Sequence, residues 1–508
     1  MLPSLLAFTT LVASAQSPSD GNPVIRTSAR LVQVNVIVHD KNGPVANLTK
    51  DEFTLTDRGK ARAINVFSVE SAASSGKAAE PLPPNTFSNR QSRPGSRPPN
   101  VTVVLLDGLN TRFEDQANAK RQLIKFLKSV DPKDRIAIYT LGKTLRVLCD
   151  FTDSPEDLQK FLATFRGSTG ADVVTSDPDA SNTGNPLLDE FIDQSNQAFA
   201  AGADVDRART TVAAFAAIAG HVADLPGRKN LIWVTGSLPF SLAGAAKAFN
   251  RANLAVYPVD ARGLVGTPRQ LTASAPSPNS RRPQRIPSFG PEGLQTLQEL
   301  ADLTGGRAFY NSNDLSGALR IALEDSAVTY TLGFYADSDS LDGKLHELKV
   351  QVARPGLNVR YRKAYLASKD LPASVEQNEI NLLNAIESPL ESSSIPLSAK
   401  IERHGASLEI SWSMDIHNLQ LAPKGGAYSG AINVFFVQKD ETGKLLDTAQ
   451  EAYDLHLKKD DYAAYLRTGM SFNRSLALRE GARTLRILVA DRTNAAIGSV
   501  IIPLSRLK

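Results

Sequence analysis

Hydrophobic and polar positions follow three different rhythms along this chain. Between residues 30 and 69, Leu31, Val32, Val34, Val36 and Val38 alternate with Gln33, Asn35 and Ile37 close to period two. That rhythm predicts strands, and "DKNG" and "DRG" supply the turns between them. Such a short set cannot bury a stable core alone and needs a partner from elsewhere in the chain. From 101 onward the rhythm changes. "VTVVLLD" is an unbroken apolar run, as expected of a strand covered on both faces. Phe113, Ala117, Ile124 and Leu127 then recur at helical spacing and predict one buried helix face. "DRIAIYTL" and "LRVLCDF" read as strands, and Ser154 with Pro155 and Glu156 starts a further helix.

A polar stretch from Gly167 to Gln197 interrupts this pattern. It resumes with helix "RTTVAAFAAIAGHVADL", strand "KNLIWVTG", helix "SLAGAAKAFNRA" and strand "NLAVYPVD". A Pro- and Arg-rich insert covers 262–290, followed by helix "GLQTLQELADLTGG", strand "RAFY" and helix "DLSGALRIALEDS". Alternating strands and helices predict an α/β fold: an open, mostly parallel sheet with helices on both faces. In such sheets ligands bind at the carboxyl ends of the strands, where Asp107 stands.

The third rhythm is strand-rich again. "VTYTLGFYAD", "GKLHELKVQVAR" and "LNVRYRKAYL" have no helices between them. They are expected to pair with the strands of 25–70, so that 25–70 and 328–367 build one seven-stranded β-sandwich around an inserted unit, 101–327. Residues 71–100 are rich in Ser, Pro and Gly and read as a flexible linker. A helix is expected over 375–388 and a second β-sandwich over 396–508.

The chain has 508 residues, 42% hydrophobic and 22% charged, with a net charge of +4. The basic residues are scattered, which argues against nucleic acid as a partner. The single cysteine, Cys149, allows no intrachain disulfide and sits in an apolar run as a buried small side chain. Leu5 to Val12 followed by Ala13-Ser14-Ala15 predicts a signal peptide over 1–15, cleaved after Ala15, and hence a secreted or periplasmic protein. The alternative is a buried N-terminal helix. No segment is apolar for about 18 residues, so no membrane span is expected.

The segments "VTVVLLDGLNT", "DRIAIYTLG", "LPGRKNLIWVTGSLP" and "NLAVYPVDARGL" resemble a von Willebrand factor type A domain. With "VNVIVHDKNGPVANLTKDEFTLTDRGK" before them and "YTLGFYADSDSLDGKLHELKVQVARPGLNVRYRKAYLA" after, residues 25–367 are similar to the VWFA-related family of exported bacterial proteins. The resemblance implies a divalent-cation site built from Asp-x-Ser-x-Ser after the first strand. Here those positions hold Asp107, Leu109 and Thr111. Asp107 and Thr111 can coordinate a hard cation such as Mg²⁺, Leu109 cannot, and Asn110 offers an amide oxygen one position out of register. The family's second aspartate falls where this chain has Thr235-Gly236-Ser237, and a threonine ligand could be Thr169, Thr175 or Thr183. Magnesium binding is therefore expected to be weak or absent. The other reading of Asp107 is a cap that accepts backbone N–H bonds from the strand–helix turn.

No catalytic motif stands out. The six histidines, His39, His221, His346, His404, His417 and His456, show no His-Glu-x-x-His spacing. No nucleophile elbow or phosphate loop is present. His221 near a helix end, the pair Asp51 and Asp57, and an anion site at Gly227-Arg228-Lys229 are secondary candidates. Trp233 and Trp412 read as core residues. The sequence supports an exported, non-catalytic protein that binds a protein or another extracellular ligand. A secreted hydrolase with a non-local constellation is the alternative.

Overall fold

The computed structural model describes residues 30–71, 82–90, 101–128, 135–152, 186–225, 227–236, 252–263, 291–312, 314–337, 341–367 and 375–507, together with 158, 160, 246 and 248–250. The signal-peptide segment, the helix expected at Ser154, most of "SLAGAAKAFNRA", most of the 262–290 insert and Thr169, Thr175 and Thr183 lie outside these residues.

The chain opens with β1 (Arg30–Asp40), β2 (Gly43–Pro44), β3 (Phe53–Asp57), β4 (Lys60–Arg62) and β5 (Val66–Ser71). A short strand, β6 (Thr86–Ser88), follows. The middle of the chain carries β7 (Val101–Asp107), α1 (Phe113–Leu127), β8 (Arg135–Leu141), β9 (Leu145–Thr152), α2 (Pro186–His221), β10 (Lys229–Thr235), β11 (Leu254–Asp260), α3 (Pro291–Thr304) and α4 (Leu315–Glu324). Then come β12 (Val328–Ala336), β13 (Lys344–Val352), β14 (Asn358–Tyr361), β15 (Ala364–Ala367) and α5 (Val375–Glu387). The last part holds β16 (Leu397–His404), β17 (Ser407–Met414), β18 (Ala422–Lys424), β19 (Ala427–Lys439), β20 (Leu445–Lys458), α6 (Lys459–Thr468), β21 (Met470–Ala477), β22 (Thr484–Asp491) and β23 (Ile497–Pro503).

The middle sheet has the order β11-β10-β7-β8-β9. β11, β10, β7 and β8 run parallel, and β9 is antiparallel to β8. Every residue of β7, β10 and β11 is buried, which explains their unbroken apolar runs. Register sets Leu105 beside both Tyr139 and Trp233 and sets Thr235 beside Asp260, so Asp107, Thr235 and Asp260 share the carboxyl end of the sheet.

Three sequence expectations change in this region, and a fourth in the C-terminal part. Helix α1 buries Gln116, Ala119, Leu123, Phe126 and Leu127, whereas Phe113 is 57% exposed and Ala117 is exposed. Its rotation is anchored by a polar group: Gln116 Nε2 donates to the carbonyls of Gly108 (3.1 Å) and Thr111 (2.8 Å). Helix α2 starts at Pro186, well inside the stretch read as polar, because Leu187 to Ala201 hold good helix formers and no glycine or second proline. "RAFY" is no full strand; it meets β11 through one bridge, Phe309 to Val259. In the C-terminal part, read as all strand, helix α6 was not expected; it ends at Gly469, whose φ of 73° suits glycine.

The flanking strands pair with each other. β1 lies antiparallel to β12 with Val34 beside Leu332, and β12 in turn pairs with β5. β3 lies antiparallel to β13 with Leu55 beside Val350. The result is a five-stranded sheet (β14-β1-β12-β5 with β2) and a four-stranded one (β15-β13-β3-β4). Val34, Leu55, Tyr330, Leu332, Leu348 and Val350 share one apolar cluster between them. The two sheets hold nine strands where seven were expected; "LNVRYRKAYL", read as one strand, is β14 and β15, and β2 and β4 are only two and three residues long.

The C-terminal strands form two further sheets, β21-β17-β16-β6 and β18-β19-β22-β23 with β20. Strand β6 comes from the stretch read as linker: Phe87 pairs with Ala399 and packs on the C-terminal apolar cluster. Asn89 pins it there, donating to the carbonyls of Ser392 (2.7 Å) and Ile395 (3.0 Å) and accepting from the Leu397 amide (2.6 Å).

Candidate functional site

Strand β7 ends where Asp107 turns its own chain. The Asn110 amide donates to Asp107 Oδ1 at 3.0 Å, an aspartate-capped turn. Gly108 fits this turn because a Cβ there would lie 3.2 Å from Gln116 Oε1 and 3.3 Å from the Leu141 carbonyl. Three more donors converge on Asp107 Oδ2: Asn110 Nδ2 at 2.8 Å, Trp233 Nε1 at 3.0 Å and Thr235 Oγ1 at 3.1 Å. The carboxylate is 2% exposed. Burial outweighs these donors and holds its pKa above the ordinary aspartate value.

The neighbouring oxygens are also engaged. Thr111 Oγ1 accepts from the Gly236 amide at 2.9 Å. Asn110 Nδ2 donates a second bond, 2.9 Å, to Thr211 Oγ1 on α2, whose own hydroxyl donates to the Arg207 carbonyl at 2.8 Å. Leu109 packs against the apolar cluster of the middle sheet. The other acid at this end, Asp260, accepts from Arg262 Nε (2.9 Å) and Nη2 (2.8 Å). A void of about 10 Å³ beside Asp107 has the size of one water. Among the described residues, no three His, Cys, Asp or Glu side chains gather to hold a metal ion.

Asp107, Asn110 and Thr111 are thus brought together, but as parts of a hydrogen-bonded turn. Trp233 is a core residue, as its pattern suggested, and more: its ring meets Phe215 edge-on at 4.9 Å, which aims the indole N–H at Asp107. Thr211 and Gln116 were not singled out in the sequence, and Thr235 was named only as part of the step that lacks the second aspartate. Only Thr235 carried a signal, since it directly follows an apolar strand.

The secondary candidates scatter. Asp51 is exposed on a one-turn helix, while Asp57 is buried. Asp57 accepts from Arg62 (3.0 Å) and Tyr365 (3.2 Å) and sits 3.0 Å from His346 Nδ1; Asp342 holds the other ring nitrogen at 3.1 Å. Arg228 and Lys229 point inward rather than toward a free anion. Arg228 donates to Tyr257 Oη (3.0 Å) and Lys229 to the Ala252 carbonyl (2.7 Å). Burial pushes the Lys229 ammonium down to about 8. His221 lies against Phe151 and is 2.8 Å from the Glu391 carbonyl. His404, His417 and His456 are exposed and separate. Cys149 is buried, and Trp412 stacks on Phe472 at 4.3 Å. Among the described residues, no helix is long and apolar enough to cross a membrane.

No family model matches the chain, and no curated protein matches it. Solved structures do. The chain is similar to an aerotolerance-related membrane protein from Bacteroides fragilis at 13% identity and TM-score 0.27, with 44% of this chain and 98% of that one covered. It is similar to the conserved hypothetical protein BatB from Bacteroides thetaiotaomicron at 17% identity and TM-score 0.27, covering 45% and 97%. It is also similar to a von Willebrand factor type A protein from Catenulispora acidiphila at 10% identity and TM-score 0.26, covering 87% and 72%. The fold of this chain rests on its own strand order and register. The solved structures it is similar to include von Willebrand factor type A and BatB proteins.

Proposed function

We propose that this chain is an exported, non-catalytic interaction protein whose middle sheet is a type A-like unit with a degenerate ion site. The unit is inserted between the two halves of an N-terminal β-sandwich, and a second β-sandwich follows it. The observation that carries this reading is the saturation of Asp107. Its Oδ2 already accepts three hydrogen bonds from Asn110, Trp233 and Thr235. A cation needs lone pairs, and donors aimed at the same oxygen oppose it.

The residues present do not fit Mg²⁺. Magnesium demands six oxygens at about 2.0–2.1 Å and keeps several of its waters. Leu109 and Gly236 add no side-chain oxygen. The unit is therefore expected to meet its partner by direct protein contacts, with no bridging ion.

Calorimetric titration of the purified protein with MgCl₂ tests this. No saturable heat is expected, and tight, stoichiometric binding would overturn it. N-terminal sequencing of protein recovered from periplasm or medium tests export, with Gln16 expected as the first residue.

A further inference from the structure

A groove of about 860 Å³ lies away from Asp107, between the open edge of the middle sheet and strand β14. One wall is the segment after α3, Gly306 to Tyr310. It is held to β11 only at Phe309, whose amide donates to the Pro258 carbonyl (2.8 Å) and whose carbonyl accepts from the Asp260 amide (2.9 Å). Because backbone groups alternate along a strand, those of Ala308 and Tyr310 point away from β11. Neither residue's amide or carbonyl meets a partner among the described residues. Ala308 is 8% exposed and Tyr310 41%, so the segment opens to the groove toward its Tyr310 end. An unpaired strand edge is a template on which a further strand can pair.

The opposite wall comes from β14, itself the edge of its sheet, and from Lys363 just after it. Two cations face this groove. The Arg307 guanidinium lies over the Phe309 ring at 5.3 Å, and the Lys363 ammonium lies over the Tyr361 ring at 4.2 Å. Both side chains are exposed, and neither has a carboxylate partner among the described residues. Arg360, the third cation of the groove, is bound to the buried Asp325. Of the acids lining it, Asp314 is engaged in capping α4, leaving Asp302 and Glu324 on the helices beneath. Tyr310, 41% exposed, stands at the rim.

We propose that this groove binds an extended peptide from a partner protein, added as a strand along Ala308–Tyr310. The peptide carries carboxylates that meet Arg307 and Lys363. Main-chain bonds supply the affinity, and the two ring-supported cations select acidic side chains on alternate positions. This site is independent of the Asp107 turn and needs no ion.

The probe is a short, end-capped peptide of alternating valine and glutamate, with its valine–lysine counterpart as control. Hydrogen exchange of the full chain should show the Ala308 and Tyr310 amides slowed by the first peptide and not by the second. Arg307→Glu and Lys363→Glu, both at exposed positions, should each weaken binding about five- to tenfold, and weaken it less as salt rises. Circular dichroism should show both variants folded. No protection of these amides at millimolar peptide overturns the proposal. So does equal binding of both peptides. Protection that grows with protein concentration alone would assign the groove to a second copy of this chain and also overturn it.

Discussion

Asp107 and Asp57 are both buried at the ends of strands, yet they are stabilised in opposite ways. Asp57 faces charge: Arg62 bridges it at 3.0 Å, and His346 stands between it and Asp342. Asp107 faces only neutral donors, from Asn110, Trp233 and Thr235. A charge compensated by an opposite charge depends on its partner. A charge held by dipoles depends on geometry, and Asp107 is built as the acceptor that closes a turn.

Neutral isosteres separate the two cases most sharply. Asp57→Asn takes the buried carboxylate away from Arg62, His346 and Tyr365, leaving Arg62 with the exposed Asp337 and His346 with Asp342, and should cost about 3 kcal/mol in urea denaturation. Asp107→Asn keeps a carbonyl oxygen for Trp233 and Thr235 and should cost only about 1–2 kcal/mol. Equal losses at the two sites would erase the distinction.

A third, partly buried acid sharpens the comparison through pH. Glu391 accepts from the Ile501 amide at 2.6 Å, and burial pushes its pKa up to about 7. The unfolded chain ionises this group near the ordinary value of 4.5, so the folded state holds the extra proton between 4.5 and 7. Stability is therefore fully present below about 4.5, falls as pH rises toward 7, and is level above it. Glu391→Gln should flatten that slope, by at most about 3 kcal/mol, in melting curves taken across this range. An unchanged slope would contradict the assignment.

Much of the fold was legible because burial on two faces leaves unbroken apolar runs, as in Val101–Asp107 and Leu254–Asp260. Alternation likewise marked β1, β12 and β13 as strands; β13 keeps one face open, whereas eight of the nine residues of β12 are buried. What stayed hidden was set by tertiary contact. The face of α1 was misread because Gln116, a polar residue, fixes its rotation. Strand β6 was lost in a Pro- and Ser-rich stretch because Asn89 and Phe87 dock it on residues more than 300 positions away. At the candidate site, the gaps at Leu109 and Gly236 were visible as missing oxygens. The role of Trp233 was not, because an indole N–H inside an apolar strand looks like core until its partner is known.

A smaller effect is expected from trying to rebuild the ion site. Leu109→Ser with Gly236→Asp restores the missing oxygens. A Cβ at 236 would lie 3.2 Å from Thr111 Cα and Cγ2, so Thr111 must shift slightly. The double variant should still show no saturable magnesium heat by calorimetry, since Trp233 and Thr235 continue to occupy Asp107. Adding Trp233→Phe should begin to open the site. Strong binding by the double variant alone would show that the donors do not block the ion.

The indole N–H of Trp233 reports most directly on whether Asp107 is an internal acceptor. The chain has two tryptophans, so ¹⁵N-tryptophan labelling gives two indole resonances, and Trp233→Phe assigns them. Trp412 makes no indole hydrogen bond among the described residues, which provides the internal reference. The Trp233 resonance should lie downfield of that of Trp412, exchange slowly, and stay fixed as MgCl₂ is added. A Trp233 resonance that moves with magnesium in a saturable way would show that a cation competes for Asp107 and would contradict the account.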